Sequence, residues 1–340
     1  MRLLLYSDPH WCEYSSIVRR RGEKYSLRLI NEIHTMNWIQ YLAEEQKCDR
    51  IICLGDFFDK ESLNSEEISA LSEIKWNNIP NYFLVGNHEA GINNLQFSSS
   101  HLFKMTNATV IDTAYTTIFT EDPNTEICWL PYILENKRKS INEYFGPKEH
   151  KRRIILSHND LKGIQMGQFI STSGFDLDDI ENNCDRFING HLHNGMRISE
   201  KIFNIGNITG QNFSEDATKY HHSCFILNTE TLSIEVYDNP YAFNFYKIEK
   251  KFDIDLIYPA VVTFKIKENE KELLDLFLNE QSDKIIEKRI IIQTELQEKQ
   301  QIENSIKSLS INHIDEFNKF ILQQYGDSDI LKEELSEVSK

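Results

Sequence analysis

The chain has 340 residues, 40% of them apolar, and carries 37 Lys and Arg against 53 Asp and Glu, for a formal net charge of -16 at pH 7. That length suffices for a domain of about 200–250 residues with a large core plus a smaller appendage, and the acidic balance argues against a chain that grips a phosphate backbone unaided. No run approaches about 18 consecutive apolar residues, so no membrane span is expected, and the opening MRLLLY is too short for the apolar core of a signal peptide.

The first half alternates strand and helix. RLLLYSD reads as a buried strand, KYSLRLINEIHTMNWIQYLAEE as a helix with apolar residues at helical spacing, and DRIICLGD as a second strand. SEEISALSEI predicts a helix capped by Ser65, NYFLVGN a third strand and KRRIILSHND a later one. Such alternation predicts a largely parallel sheet covered by helices, with functional residues at the carboxyl ends of its strands. From about residue 200 come short strands, KIFNIGNIT, SCFILNT and LSIEVYDN, expected to form a second sheet that completes a sandwich. NPYAFNFYKIEKKFDID reads as a connector, followed by a strand, helix, strand unit from AVVTFKI, NEKELLDLFLNEQ and KRIIIQTEL. NHIDEFNKFILQQYG predicts a last helix with Ile314, Phe317, Ile321 and Tyr325 on one face and a stop at Gly326. The six cysteines are scattered, with no C-x-x-C pair, which predicts free, mostly buried thiols in a reducing cytoplasm.

Asp8 and His10 stand two apart at the end of the first strand, a spacing that aims both side chains at one point. Alone, this is no more than a strand end with a solvated carboxylate. Four further strand ends change its weight: CLGDFFD presents Asp56, LVGNHE presents Asn87 and His88, ILSHND presents His158, and INGHLH presents His191 and His193. Oxygen donors and imidazoles without thiolates suit divalent ions such as Mn²⁺, Fe²⁺ or Zn²⁺. Seven ligands, His88 set apart, are too many for one ion but suit two that share a carboxylate and clamp a phosphoryl group. Asn87 is a neutral ligand, which fits an anionic substrate, and glycines 55, 86 and 190 are expected to let the chain turn sharply at each strand end.

The set D-x-H, GD-x-x-D, GNHE, a lone His and GH-x-H resembles that of the calcineurin-like metallophosphoesterases over roughly residues 1 to 240. The resemblance implies an α/β fold, a four-layer sandwich with helices outside two mixed sheets, plus a small α+β capping domain and a C-terminal helix. It implies that Asp8, His10, Asp56 and His193 hold one ion and Asp56, Asn87, His158 and His191 the other, with Asp56 bridging. His88 resembles the family histidine that contacts the scissile phosphate and protonates the leaving oxygen.

Within that family the GDFFD spacing, the GNITGQNF segment (residues 206 to 213) and the C-terminal module resemble the SbcD-type DNA nuclease branch, its phage members in length and layout. This implies residues 1–245 as the nuclease domain, 251–300 as a capping, DNA-selecting domain and 301–340 as a helical segment that docks through Ile314, Phe317, Ile321 and Tyr325 on an SbcC-type coiled-coil ATPase. It further implies two ions, manganese first with Mg²⁺, Fe²⁺ or Zn²⁺ as alternatives, single- or double-stranded DNA as substrate, a homodimer within the complex, no membrane, and a cytoplasmic setting, that of the bacterial host if phage-encoded. An ATPase partner would supply the phosphate contacts that the negative charge denies this chain. Of two basic clusters, Arg19, Arg20 and Arg21 follow the first metal motif and are placed to meet DNA, while KEHKRR (148–153) reads first as a solvated face. The sequence departs from the branch after His10, where WCEYSS replaces the usual HLG, and at Asp59, an active-site position that is His in archaeal and eukaryotic relatives and Asp in bacterial ones. Two rival readings stay open: a phosphodiesterase or phosphatase for small molecules or nucleotides, and a scaffold subunit acting mainly through its ATPase.

Overall fold

The structure, a computed structural model, describes residues 1–105, 108–166, 169–249 and 252–292. It forms two compact units. Among the described residues the first comprises those within 1–247, 255–262 and 281–288, and the second 248–249, 252–254, 263–280 and 289–292.

The chain runs through β1 (Arg2–Tyr6), α1 (Leu27–Glu45), β2 (Arg50–Cys53), α2 (Ser65–Leu71), β3 (Asn81–Leu84), β4 (Thr109–Ile111), β5 (Tyr115–Ile118), β6 (Thr125–Leu130), α3 (Ile141–Phe145) and β7 (Arg152–Ser157). It continues through β8 (Gln165–Met166), β9 (Phe169–Ile170), α4 (Leu177–Asn183), β10 (Arg186–Asn189), β11 (Met196–Arg197), β12 (Ile202–Asn204), β13 (Ser223–Asn228) and β14 (Ile234–Asp238). Last come β15 (Asn244–Glu249), β16 (Ala260–Ile266), α5 (Lys271–Gln281) and β17 (Ile285–Ile292).

Two six-stranded mixed sheets, ordered β14-β13-β1-β2-β3-β4 and β11-β12-β10-β7-β6-β5, make the sandwich. Alternation along β1 shows how it is held. Leu3 and Leu5 pack with Ile52, Leu84, Trp129, Ile154 and Ile188 between the sheets. Leu4 and Tyr6 face the other way, onto Leu29, Met36 and Ile39 of α1. The second sheet does the same, sending Cys128, Ile155 and Phe187 outward onto Ile141 and Ile180. A strand buried on both faces explains the continuous apolar runs in the sequence. The expected α/β sandwich is therefore present, and a third sheet, β15-β16-β17, adds the smaller C-terminal piece with α5.

Several local expectations change. Helix α2 is capped by Asn64, not Ser65: Asn64 and Glu67 form a reciprocal capping box that Ser65, one residue inside, cannot make. Of the late strands, only β12 joins the second sheet, while β13 and β14 pair antiparallel beside β1 in the first. The expected connector contains β15, whose Phe245 and Tyr246 are buried. The KEHKRR cluster is a solvated face only as far as Lys151: Arg153 is buried against Glu126 at 2.7 Å and Arg152 against Asp122 at 3.2 Å. All six cysteines are free and buried, and no helix among the described residues is long and apolar enough to cross a membrane. The predicted helix carrying Ile314, Phe317, Ile321 and Tyr325 lies outside the described residues.

Candidate metal centre

The five strand ends converge. Beyond β1 and β2 the chain keeps pairing, with the Asp8 N–H on Gly55 O at 3.1 Å, His10 N–H on Asp56 O at 3.1 Å and Trp11 N–H on Phe57 O at 2.7 Å. This zips the D-x-H and GDFFD loops together. Asp8, His10, Asp56 and His191 have φ of 51°, 50°, 46° and 72°, a left-handed conformation uncommon outside glycine and characteristic of functional sites. The three glycines act mainly by making room. Only Gly55 has a positive φ, 119°, whereas at Gly86 a Cβ would overlap Asp56 and at Gly190 it would overlap Ser7.

Three sets of side chains bring donor atoms within 4.8 Å of one another: Asp8, His10 and His193; His10, Asp56 and His88; and Asp56, His158 and His191. Asp8 accepts the His191 N–H on Oδ2 at 3.0 Å, while its Oδ1 lies 3.7 Å from His10 Nε2 and 3.9 Å from His193 Nε2. Asp56 accepts the His88 N–H on Oδ1 at 2.9 Å, and its Oδ2 lies 3.0 Å from His158 Nε2 and 3.9 Å from His10 Nε2. It thus stands between the two halves of the cluster.

The tautomers are set from outside. His158 Nδ1 donates to Leu54 O at 2.9 Å and His10 Nδ1 to Asp59 Oδ1 at 3.0 Å, so both rings turn Nε2 inward. His191 is held at Nε2 by Asp160 at 2.9 Å, which leaves Nδ1 for the site. Four buried atoms at this centre, Asp8 Oδ1, His10 Nε2, Asn87 Oδ1 and His158 Nε2, have no hydrogen-bond partner. Buried polar atoms rarely lack partners. A divalent ion about 2.0–2.2 Å from each donor would hold its ligands about 3–4 Å apart, so the residues fit two divalent cations.

The electrostatics agree. Burial would push the Asp8 and Asp56 carboxyls up, but the His158 charge and contacts with His10 hold both well below the usual carboxylate range. Burial would lower the His10 imidazole, yet the hydrogen bond to Asp59 and the nearby carboxylates of Asp8 and Asp56 hold it up at about 10. The carboxylates Asp56 and Asp8 likewise hold His158 at about 9 against its burial. A bound cation competes with those protons for the same lone pairs.

His88 projects from the rim, its side chain 44% exposed. Its Nδ1 donates to the Asp59 carbonyl at 3.2 Å, leaving Nε2 for a substrate. Asp59 therefore touches both His10 and His88, the contacts of a positioning residue. The arginines singled out for DNA are largely engaged: Arg21 pairs with Glu66 at 2.7 Å, Arg20 lies 3.7 Å from Glu287 and Arg19 donates to Ser16 O at 3.0 Å.

Sequence reasoning missed the supports. Asp160, in contact with the buried Arg138, orients His191, and its place two residues after His158 was the available signal. Glu215 lies 3.6 Å from His193 Nδ1 and accepts from Asn207 and Gln211, in a stretch without any motif. Partners of this kind set ligand orientation and basicity. Asp160→Asn and Glu215→Gln are each expected to lower Mn²⁺ affinity about 10–100-fold, read by calorimetric titration. Unchanged affinity would mean that the rings are held by packing alone.

Arg28 is a third support. Its guanidinium bonds Pro9 O at 3.1 Å, His10 O at 3.2 Å and Gly210 O at 3.3 Å, and pairs with Glu32 at 2.9 Å. Burial pushes the Glu32 carboxyl up to about 8 against that pull. Arg28→Ala, which orphans these buried acceptors, is expected to cost about 3–5 kcal/mol in urea denaturation. A loss under about 1 kcal/mol, the worth of a single neutral hydrogen bond, would show the clamp to be dispensable.

A site of this kind, at the carboxyl ends of strands in two packed sheets, defines a two-metal hydrolase of phosphoesters. The family model described as calcineurin-like phosphoesterase matches residues 1–195, and the chain belongs to that family. No curated protein matches it. Solved structures similar to it include the calcineurin-like phosphoesterase YfkN from Bacillus subtilis, at 13% identity and a TM-score of 0.37 over 70% of this chain and 88% of that one. A dimetal phosphatase from Danio rerio is similar at 12% identity and a TM-score of 0.36, over 70% of this chain and 98% of that one.

Proposed function

We propose that the chain is a DNA nuclease subunit of the SbcD type, hydrolysing phosphodiesters with two divalent ions, manganese first, beside an SbcC-type ATPase in recombination, repair or replication. The observation that carries this reading is the tie between the GNITGQNF segment and the first metal motif. Ile208 N–H bonds Ser7 O at 2.9 Å, Thr209 Oγ1 bonds Pro9 O at 3.1 Å and Gln211 Nε2 bonds Asp8 O at 3.1 Å. The segment that resembles that branch is thus part of the scaffold of the site. On this reading residues 251–300 select DNA and 301–340 bind the ATPase.

Asp8, His10, Asp56 and His193 would hold one ion and Asp56, Asn87, His158 and His191 the other. When bound, the ions supply Lewis acidity toward the phosphoryl oxygens and an activated water. Water would add to phosphorus and give up a proton to solvent, the bond to the leaving oxygen would break, and His88 Nε2 would give that oxygen a proton. The Asp59 carbonyl on Nδ1 keeps the imidazole turned to do so.

One observation favours a second reading, a phosphodiesterase for nucleotides. Of the three arginines expected to meet a DNA backbone, Arg20 and Arg21 already face the carboxylates of Glu287 and Glu66. The deciding assay incubates the full chain with Mn²⁺ and end-labelled single- and double-stranded DNA, with and without the ATPase, beside bis(p-nitrophenyl) phosphate. Metal-dependent shortening of the DNA supports the nuclease. Brisk turnover of the small ester with no DNA cleavage under any condition sinks it in favour of the second reading.

A further inference from the structure

A cavity of about 400 Å³ opens beside the metal centre, and Asn87, a proposed metal ligand, lines it. A group bonded to a phosphate held at the ligands would therefore reach it directly. One wall is the loop from Ala90 to Gln96, and the other is the segment carrying Tyr132 and Tyr144.

Both walls are stiff. The Gly91 N–H bonds Phe97 O at 2.6 Å, Asn94 N–H bonds Gly91 O at 2.9 Å and Phe97 N–H bonds Asn94 O at 2.9 Å. Ile92 and Asn93 are held at φ of 55° and 52°, and for a β-branched residue such as Ile92 that is a true outlier. Strain of this kind persists where the surrounding structure enforces it, typically at ligand-binding loops. Opposite, the Tyr144 hydroxyl donates to Lys137 O at 3.0 Å and accepts the Lys139 N–H at 3.2 Å, which fixes its ring.

The lining chemistry is selective. Tyr132 and Tyr144 supply aromatic surface, the amides of Asn94 and Gln96 offer donors and acceptors to a polar edge, and Lys137 adds one positive charge to the lining. The carboxylate that borders the cavity, Asp112, is already engaged by His101 at 3.1 Å and Lys104 at 3.0 Å. Such a lining, aromatic and amide-rich, suits a planar heterocycle with hydrogen-bonding edges better than an aliphatic chain.

We propose that this cavity takes the nucleobase of the nucleotide whose phosphate lies at the metal centre, so that the enzyme reads the base next to the scissile bond. The proposal rests on the phosphodiesterase reading of the centre, and its test separates the two.

The test is equilibrium binding of dAMP, dTMP, phenyl phosphate and inorganic phosphate to the full chain in Mn²⁺, with Tyr144→Ala and Gln96→Trp alongside. Thermal unfolding of each variant checks its fold. Gln96→Trp fills the cavity from an exposed position and spares the core. At least one mononucleotide is expected to bind about 10-fold tighter than phenyl phosphate, the scale of one base–aromatic stack, and both variants are expected to erase that advantage. Equal affinity for all four probes, or an advantage that survives Gln96→Trp, overturns the assignment. Turnover of bis(p-nitrophenyl) phosphate, measured in parallel, judges the catalytic reading separately. Base-dependent binding without turnover would keep the cavity assignment and sink the catalytic one, and turnover without base preference would do the reverse.

Discussion

Replacing Asp56 by Asn is expected to lower phosphodiester hydrolysis by at least about 10³-fold and to strip the protein of both metal ions. Asp56 Oδ2 lies 3.0 Å from His158 Nε2 and 3.9 Å from His10 Nε2, so one carboxylate serves both halves of the cluster. Its partner oxygen is taken by the His88 N–H at 2.9 Å, which fixes the orientation. Asparagine keeps that shape but removes the charge, and turns an N–H₂ group toward imidazole lone pairs. Two measurements check the outcome: metal content after dialysis, and kcat/KM for bis(p-nitrophenyl) phosphate. Both ions retained at full affinity would end the bridging role. One ion retained would assign Asp56 to a single site.

His88→Ala is expected to lower kcat about 10²–10⁴-fold while leaving Mn²⁺ affinity in place. The ring stands at the rim, half exposed, with its centroid 4.6 Å from that of His10. Its backbone N–H, which holds Asp56, survives the substitution. The informative comparison is between leaving groups. A nitrophenolate departs without a proton, whereas the sugar alkoxide of DNA needs one, so the defect should be large on DNA and small on the nitrophenyl ester. Equal losses on the two substrates would show that His88 binds the phosphate rather than protonating the leaving oxygen.

Much of the site was legible because it is built from local motifs at strand ends. Asp8 and His10 follow β1, Asp56 follows β2, Asn87 and His88 follow β3, His158 follows β7, and His191 and His193 follow β10. An apolar run that stops at a chemically committed residue is visible in one dimension. The supports are not. Arg28 sits in the first turn of α1, where its helical spacing says nothing of the three carbonyls it clamps. Glu215 reaches His193 from a turn, and Asp160 acts on a histidine 31 residues away. Two of the three glycines were noticed for the wrong reason: Gly86 and Gly190 give way to neighbouring side chains, which only the folded chain brings near, whereas Gly55 does turn at a φ of 119°.

The basic clusters carry the same lesson in reverse. Arg152 and Arg153 look like surface charge in the sequence but lie at the start of β7, where Asp122 and Glu126 neutralise them inside the sheet. A charge run reports composition, and its solvation depends on what the other strands deliver.

The sequence by itself determined the α/β alternation, the buried strands and the identity of the residues at their carboxyl ends. Each of these depends on neighbours along the chain, through a period of 2 or 3.6 residues and the stop that ends it. Tertiary structure alone decided that β13 and β14 flank β1 instead of completing the second sheet, that Asp56 lies between His10 and His158, and that a cavity opens beside Asn87. These depend on which strands lie side by side, and sheet pairing joins residues more than 200 positions apart, such as Leu5 and Phe225.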